Sequence, residues 1–304
     1  MNIRIGTRGS ALALAQTNLI IKELKNLYPD ITIETTIIKT TGDTILDTKL
    51  AAIGGKGLFV KEIEEALLEN TIDIAVHSMK DLPGIMPDGL MIGAIQKRER
   101  YEDVLITHNK CLFSELPLHG TLGTSSLRRQ AQILAKRPDL TIKNLRGNVD
   151  TRIRKLHRKE YDGIVIAYAG LARLRLTHEI TEILEWMLPA PCQGAVGIEC
   201  RQDDIKIISL IQQLDHHTTR IAIEAERAFL TRIGGGCEIP MAALATITNE
   251  TELHIRGLVA SCSGNELITH EIAGNIDDRI QLGRTLADQI LNNGGSRILK
   301  MLHR

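Results

Sequence analysis

Strand-like and helix-like patterns alternate along roughly the first two thirds of the chain. Residues 3–6 have the pattern of a short strand, Ser10 can cap a helix that extends to about Leu27, and β-branched residues recur at every second position over 31–37. The alternation restarts near Asp103. This order predicts an α/β fold with two similar lobes and a cleft between them, each lobe built on a parallel or mixed sheet. Ligands of such sheets bind beyond the carboxyl ends of the strands.

The pattern changes at about His217. A helical pattern covers residues 217–233, and a last helix is predicted from Asn275 to Asn293, where two glycines would end it. Between these helices, three segments have the pattern of antiparallel strands: 242–247, 253–262 and 267–272. The end of the chain therefore predicts a small α+β domain.

The balance of charge excludes a general polyanion binder but hides a local asymmetry. The chain has 304 residues, which suits two or three domains, and its 37 Lys plus Arg equal its 37 Asp plus Glu. Between Thr121 and Arg175, however, nine Arg and four Lys stand against four acidic residues. This excess of positive charge indicates that the segment meets an anionic partner.

The cysteines argue against a disulfide framework and against a cysteine-based zinc site. They are odd in number, irregularly spaced and without a CxxC pair. The N-terminal residues MNIRIGTRGS lack the long apolar core of a secretory signal, and no apolar run is long enough to span a membrane. A reducing, cytoplasmic location is the expectation. The cysteines are Cys111, Cys192, Cys200, Cys237 and Cys262.

Three arginine-bearing segments each follow a predicted strand. They are GTSSLRRQ (123–130), RGNVDTR (146–152) and GLARL (170–174). Guanidinium groups, hydroxyl groups and the exposed N–H groups at a helix start all bind carboxylates or phosphates. The arginines could instead lie on solvated helix faces. A nucleic-acid site usually contains aromatic side chains on which bases stack. Only Tyr161 and Tyr168 lie in this segment, so a ligand with several carboxylates explains the pattern better.

An acidic residue follows another predicted strand, which covers residues 72–76. Asp81 comes after Lys80 and before a Leu-Pro-Gly sequence. A carboxylate at a strand end can act as an acid or base, or can stabilise a developing cation. The alternative is a residue that only forms the turn before the proline.

A cysteine lies in the glycine-rich loop IGGGCEIP, residues 233–240. The glycines before Cys237 would let another molecule approach the backbone closely. The thiol could be a nucleophile or an attachment point if the thiolate is favoured. The alternative is a small buried side chain with no chemical role.

Other signals in the sequence are weaker. The glycines around Lys56 do not have the spacing of a phosphate-binding loop, and Lys56 and Phe59 could belong to a lid. Asp43 and Asp47 lack the further ligands that a metal ion would require, so no metal site is expected.

Several motifs together resemble the porphobilinogen deaminase (hydroxymethylbilane synthase) family over essentially the whole chain. They are GTRGS, GDTILD with GGKGLFVKEIE, DIAVHSMKDLP, GTSSLRRQ, LRGNVDTR, PCQGAVGIECR and ERAFLTRIGGGCEIPMA. The departures from the family pattern are small. Arg175 replaces a glycine of many members, and Gly234 stands where an acidic residue is frequent.

The resemblance implies a fold of three domains. Two would be α/β lobes with mixed sheets, similar to type-2 periplasmic binding proteins, and the third an α+β domain with a three-stranded antiparallel sheet. The chain would cross between the lobes twice. The implied boundaries are residues 1–97 with 195–214, residues 98–194, and residues 215–304.

The resemblance also implies the chemistry. A dipyrromethane cofactor would be bonded through a thioether to Cys237, and four porphobilinogen units would be joined to it in turn with loss of ammonia. Water would then release hydroxymethylbilane, the linear tetrapyrrole of porphyrin and haem biosynthesis. A monomer that passes its product to uroporphyrinogen-III synthase would fit the family.

The site residues follow by motif position. Asp81 would be the catalytic group that stabilises the cation left when ammonia departs, and Lys56 and Phe59 would lie on a mobile loop. The residues expected to bind substrate or cofactor are Arg8, Ser10, Lys80, Thr124, Ser125, Arg128, Arg129, Arg146, Gly147, Arg152, Arg173 and Gln193.

Two other classes of protein explain the sequence less completely than an enzyme does. A non-enzymatic binding protein on the same two-lobe fold would account for the arginines but not for Cys237 or the third domain. A nucleic-acid binder is disfavoured by zero net charge and by an aromatic content of 3%.

Overall fold

The computed structural model describes residues 2–44, 60–236 and 238–302, except for the side chains of residues 43 and 44. The chain divides into two compact units. Unit 1 comprises Met1–Glu99 and Gly194–Arg220, and unit 2 comprises Arg100–Gln193 and Ile221–Arg304.

Strands and helices alternate in the order that the sequence pattern indicates. Over the described residues the strands are β1 (Asn2–Thr7), β2 (Thr32–Ile37), β3 (Ile74–Ser78), β4 (Leu90–Ile95), β5 (Asp103–Thr107), β6 (Thr121–Gly123), β7 (Thr141–Lys143), β8 (Gly163–Ala167), β9 (Glu182–Ile183), β10 (Val196–Arg201), β11 (Met241–Asn249), β12 (Glu252–Ala260) and β13 (Leu267–Asn275). The α-helices are α1 (Ala11–Leu27), α2 (Thr41–Thr44), α3 (Lys61–Leu68), α4 (Leu127–Lys136), α5 (Val149–His157), α6 (Tyr168–Arg173), α7 (Ile205–Ile211), α8 (His217–Ile233), α9 (Arg279–Ile290) and α10 (Ser296–Leu302).

Unit 1 is built on a mixed sheet with strand order β2-β1-β3-β10-β4. The first three strands are parallel, and β10 runs antiparallel to both of its neighbours. The sheet is covered on both faces, because α1 and α7 pack on one apolar cluster and α3 packs on another. Strands buried in this way read as continuous apolar runs, as IAV does at the start of β3.

The five-stranded sheet of unit 2 repeats this arrangement with strand order β7-β6-β8-β5-β9. Three neighbouring strands are parallel, and β5 is antiparallel to β8 and β9. The parallel strands β6, β7 and β8 therefore end at one edge of the sheet. The segments after them carry the arginines.

Unit 2 also contains the antiparallel sheet β11-β12-β13. Its core is formed with α8 and α9, and the ring of Phe229 is fully buried there. Gly257 allows this packing, since a Cβ at that position would lie 2.8 Å from Cε2 of Phe229.

The predicted fold class is confirmed: the protein is α/β, with two mixed sheets and a three-stranded antiparallel sheet. The three-domain division stays a prediction, although unit 1 coincides within a few residues with the expected first domain. No helix among the described residues is both long and apolar enough to cross a bilayer.

The helix predicted to end at Asn293 does end before Gly294, but it is not the last helix of the chain. Backbone at Gly294 has a φ of +115° and interrupts the regular helix, but the chain resumes as α10 over Ser296–Leu302. Glycine adopts positive φ at little cost, so Gly294 ends one helix and the next begins two residues later.

Candidate active site

The carboxyl ends of β1 and β3 place four of the predicted residues at one edge of the unit 1 sheet. The two strands pair in parallel, with Ile5 opposite Ile74. Arg8 and Ser10 follow β1, and the sequence Lys80-Asp81 follows β3 in a single turn of 3-10 helix. The side chain of Asp81 is exposed and that of Lys80 is partly buried. The edge therefore combines cationic groups with one accessible carboxyl group.

The turn that carries Asp81 is fixed by its first residue. The N–H of Met79 donates to the carbonyl of Ala195 at 3.0 Å, and the Met79 side chain is fully buried. On the preceding strand, Nε2 of Gln16 donates to Oγ of Ser78 at 2.8 Å. The start of the turn is thus bonded to Ala195, directly before β10, and to α1, while Asp81 at its end is exposed.

Ser10 has a structural contact besides its predicted role. It is the N-cap of α1, and its Oγ accepts from the N–H of Ala13 at 3.2 Å. A serine cap satisfies one of the unpaired N–H groups at the start of the helix.

In unit 2, small polar residues form the connection from β6 to α4. The N–H of Thr124 donates to the carbonyl of Lys143, and Ser126 caps α4 by accepting from the N–H of Arg129. Oγ of Ser125 lies within hydrogen-bonding distance of the Leu145 carbonyl, which ties this connection to the one after β7. Ser125 is exposed and Thr124 is buried.

The adjacent arginines of α4 share one buried carboxylate. Nη1 of Arg128 lies 2.7 Å from Oδ2 of Asp103, and Nη2 of Arg129 lies 2.7 Å from Oδ1. Burial by itself raises the pKa of Asp103, but the two guanidinium groups outweigh it and hold that pKa well below its ordinary range. Two positive charges and one negative charge leave this cluster with a net positive charge.

Further bonds fix the same cluster. Arg128 also donates to the carbonyl of Leu188 at 2.8 Å, and Arg129 to that of Val165 at 2.9 Å. Nε2 of the buried Gln193 donates to Oδ1 of Asp103 at 3.1 Å. Arg128, Arg129 and Gln193, which the sequence analysis placed among the binding residues, are therefore brought together by Asp103.

A second arginine cluster follows β7. Nε of Arg152 donates to the carbonyl of Gly147 at 2.7 Å, which fixes the loop after Arg146. Gly147 has a φ of +110°, and a Cβ there would lie 2.8 Å from Cγ2 of Thr151. Glycine is therefore required at this position. Arg173 ends α6 after β8, at the same edge of the sheet.

Three predicted residues lie outside the described part of the chain: Lys56, Phe59 and Cys237. No group of side chains with the composition of a metal site occurs among the residues that the structure describes.

The sequence analysis missed Asp103. The residue is completely buried, opens β5, and is the only charged residue of that strand, DVLIT. A lone acid in an apolar strand needs a cationic partner, and the neighbouring arginine pair at 128 and 129 was available as one. That combination was the signal that could have identified it.

Sequence comparison relates the whole chain to one family. Residues 3–209 match the family model described as porphobilinogen deaminase, dipyromethane cofactor binding domain, and residues 220–292 match porphobilinogen deaminase, C-terminal domain. The chain is similar to a porphobilinogen deaminase of Carboxydothermus hydrogenoformans, with 49% identity covering 99% of this chain and 97% of that one. A porphobilinogen deaminase of Syntrophotalea carbinolica is 48% identical, with 99% and 96% coverage.

Structural comparison finds more distant likenesses. The periplasmic aliphatic sulphonate binding protein SsuA from Escherichia coli is 14% identical, with a TM-score of 0.42 over 76% of this chain and 70% of that one. The VFT2 domain of Bordetella pertussis BvgS is 11% identical, with a TM-score of 0.43 over 76% and 92%. Likenesses at these scores support no conclusion about the activity.

Proposed function

Since the chain belongs to the porphobilinogen deaminase family, we propose that Asp81 is its catalytic carboxylate and that Cys237 anchors its dipyrromethane cofactor. The protein is an enzyme of tetrapyrrole biosynthesis, a transferase that condenses four porphobilinogen molecules head to tail with loss of ammonia and releases hydroxymethylbilane. The observation that carries the proposal is the exposed carboxyl group of Asp81 on a turn anchored by Met79.

The donor set of unit 2 fits a ligand that carries several carboxylates. The cofactor is built from pyrroles with acetate and propionate side chains, and when bound it would supply the free pyrrole carbon to which the first substrate unit is joined. The cluster at Asp103 keeps a net positive charge, and the hydroxyl of Ser125 is exposed beside the N-terminus of α4. The residues proposed to hold cofactor and substrate carboxylates are Thr124, Ser125, Arg128, Arg129, Arg146, Gly147, Arg152, Arg173 and Gln193.

Residues at the edge of the unit 1 sheet are proposed to act on the incoming porphobilinogen. Loss of ammonia from its aminomethyl group leaves a cation that is delocalised over the pyrrole ring. The carboxylate of Asp81 accepts the pyrrole N–H and stabilises this charge as it develops, which is worth more in a partly dehydrated site than in water. Arg8, Ser10 and Lys80 are proposed to hold the carboxylates of the same ring.

Intact-protein mass spectrometry tests the attachment. The wild type should carry the mass of two pyrrole units, and Cys237→Ser should lack it. Cys262→Ser is the matched control, because Cys262 is a partly exposed cysteine in the same unit and should keep the adduct. An active wild type at the bare polypeptide mass would refute the attachment.

Kinetics test the role of Asp81. Asp81→Ala should keep the circular dichroism spectrum of the wild type and lose nearly all turnover. Asp88→Ala removes another exposed acid of the same segment and should turn over normally. Substantial residual activity in Asp81→Ala would remove Asp81 from the mechanism.

The location and assembly of the enzyme complete the proposal. A cytoplasmic location is supported by the reduced thiols of Cys111, Cys200 and Cys262. We propose a monomer that passes its product to uroporphyrinogen-III synthase. Light scattering on the purified enzyme should give the mass of one chain, 33.6 kDa plus the cofactor.

A further inference from the structure

A buried glutamate of α8 joins two separate segments of unit 2. Glu226 is 0% exposed, and each oxygen of its carboxyl group accepts a backbone N–H. Oε1 accepts from Ala245 of β11 at 2.8 Å, and Oε2 accepts from Cys192 at 2.5 Å. Cys192 belongs to the segment before β10, 34 residues earlier in the chain than Glu226. The function proposed above does not use Glu226.

The turn at Cys192 has a backbone conformation that normally requires glycine. The N–H of Gln193 donates to the carbonyl of Ala190 at 3.0 Å, which closes a β-turn. Pro191 and Cys192 are its central residues, and the φ of Cys192 is +65°, where a Cβ is unfavourable. Turns with proline at the second position and positive φ at the third ordinarily have glycine there. The cysteine keeps this conformation because its surroundings hold it.

The bond to Glu226 is a restraint on this turn from another element. Cys192 is fully buried, so water does not readily replace an acceptor that its N–H loses. Loss of the acceptor for a buried N–H is unfavourable. Removal of the Glu226 carboxyl group should therefore favour an ordinary φ at Cys192, which changes the direction of the residue that follows.

That residue is Gln193, whose side chain enters the arginine cluster. Its Nε2 donates to the carbonyl of Tyr101 at 2.7 Å and to Oδ1 of Asp103 at 3.1 Å. Nε of Arg129 donates to the same oxygen at 2.9 Å. Gln193 therefore restricts rotation of the Asp103 carboxylate from the side opposite the protein's arginine helix, α4.

The Asp103 carboxylate in turn determines where two guanidinium groups lie. Arg128 binds one of its oxygens and Arg129 the other, and all three side chains are buried. In a closely packed interior, a displacement of one member displaces its neighbours. A change in the turn at Cys192 should therefore reach the groups that are proposed to bind carboxylates.

We propose that Glu226 is a positioning residue, whose bond to Cys192 holds the turn that places Gln193 in the arginine cluster. The inference rests on the binding role proposed above for Gln193 and the arginine pair. Glu226 acts through the backbone of Cys192 and has no role in contacting the substrate.

A double-mutant cycle between positions 226 and 193 tests the inference. Glu226→Met keeps an unbranched side chain of similar length and removes both acceptor oxygens. It should raise KM for porphobilinogen and lower kcat/KM about tenfold or more, as a small misplacement of binding groups does. Gln193→Ala should have a similar effect. Because both changes act on one cluster, the double variant should match Gln193→Ala within about twofold.

Phe229→Leu is the control on the same helix. It reduces packing in the core of the antiparallel sheet and should lower stability, yet leave kcat/KM of the folded protein unchanged. Such a result separates the kinetic effect of Glu226→Met from a general weakening of α8.

A wild-type kcat/KM in Glu226→Met, or losses that multiply in the double variant, would overturn the inference. If Gln193→Ala is impaired while the losses multiply, the proposed function stands and only the inference fails. A kinetically normal Gln193→Ala refutes the binding role itself. If Glu226→Met does not fold, hydrogen exchange in the wild type decides: the Cys192 amide should be protected, and exchange as fast as in an unfolded chain refutes the inference.

Discussion

The side chain of Met79 lies over Gly197, so that a Cβ on this glycine would collide with Sδ of the methionine. Met79 begins the turn that carries Lys80 and Asp81, and Gly197 is the residue of β10 opposite His77. Because Gly197 of β10 has no side chain, the Met79 side chain at the start of the Asp81 turn can be buried against that strand.

We expect Gly197→Ala to displace the turn. Overpacking of a buried site costs about 1–3 kcal/mol of unfolding free energy, and a misplaced catalytic group should lower kcat of the folded protein about 10- to 100-fold. Urea unfolding and steady-state kinetics measure the two effects.

Gly93→Ala is the control for this experiment. Gly93 lies in β4 of the same sheet, and its Cβ would collide with Ile211 of α7 and Cys200 of β10, away from the turn. It should lose comparable stability and keep kcat per folded molecule. Equal losses of kcat in both variants would show that Met79 does not control Asp81.

Replacement of Asp103 by Asn should destabilise unit 2. The change leaves Arg128 and Arg129 buried without their counter-ion, and removal of one partner of a buried ion pair costs about 3–5 kcal/mol. Asp139→Asn, which breaks a pair with Arg137 that is only partly buried, should have a smaller effect. Urea unfolding at neutral pH measures the loss of unfolding free energy in each variant.

The lowered pKa of Asp103 also predicts that the stability of the protein decreases in acid. Because its pKa is lowered in the folded state, Asp103 contributes stability that is present above the unfolded value of 3.8 and is lost as pH falls below it. The wild type should therefore lose more stability than Asp103→Asn between neutral pH and pH values below 3.8. Parallel curves for the two proteins would contradict the assignment.

The raised pKa of Glu64 predicts the opposite pH dependence of stability. Burial raises that pKa from 4.5 to about 7 in the folded state, so the contribution of Glu64 is fully present below 4.5 and declines as pH rises towards 7. Glu64→Gln lacks this decline. The difference in Tm between Glu64→Gln and wild type should therefore shift in favour of the variant over that pH range, and a constant difference would show that the group does not titrate there.

Thiol alkylation of the native enzyme should distinguish the cysteines. Burial raises the pKa of Cys200 to about 11, so at pH 8 its thiol is both inaccessible and protonated. Cys111 is partly exposed and should react first. Peptide mapping after brief iodoacetamide treatment should show modified Cys111 and unmodified Cys200. If the proposed thioether is present, Cys237 should remain unmodified even after denaturation.

Patterns of strands and helices predicted most of the fold, because the two sheets are buried on both faces and their strands read as apolar runs. Helix α8 begins and ends where its pattern indicates, at His217 and Ile233. The strand β4 was not predicted, since LMIGAI follows a proline- and glycine-rich turn and has no alternation. Its identity as a strand depends on β10, which lies more than a hundred residues later in the sequence.

The candidate site was predictable to the level of its motifs but not of its contacts. The sequence indicates that arginines follow strands and that the lone acid Asp103 needs a cationic partner, yet it does not show that Arg128 and Arg129 each bind one of its two oxygens. The same holds for Glu226, whose two hydrogen bonds reach separate segments of the chain. Such clusters arise from register and packing between distant elements, and these are fixed only when the chain folds.

The late arrival of β10 has a consequence for synthesis on the ribosome. Within the described sheet, β4 pairs with β10 alone, and β10 also covers the exposed side of β3. Until residues 196–201 have left the exit tunnel, β3 and β4 must therefore wait with open strand edges, whose unpaired N–H and C=O groups can pair with another chain.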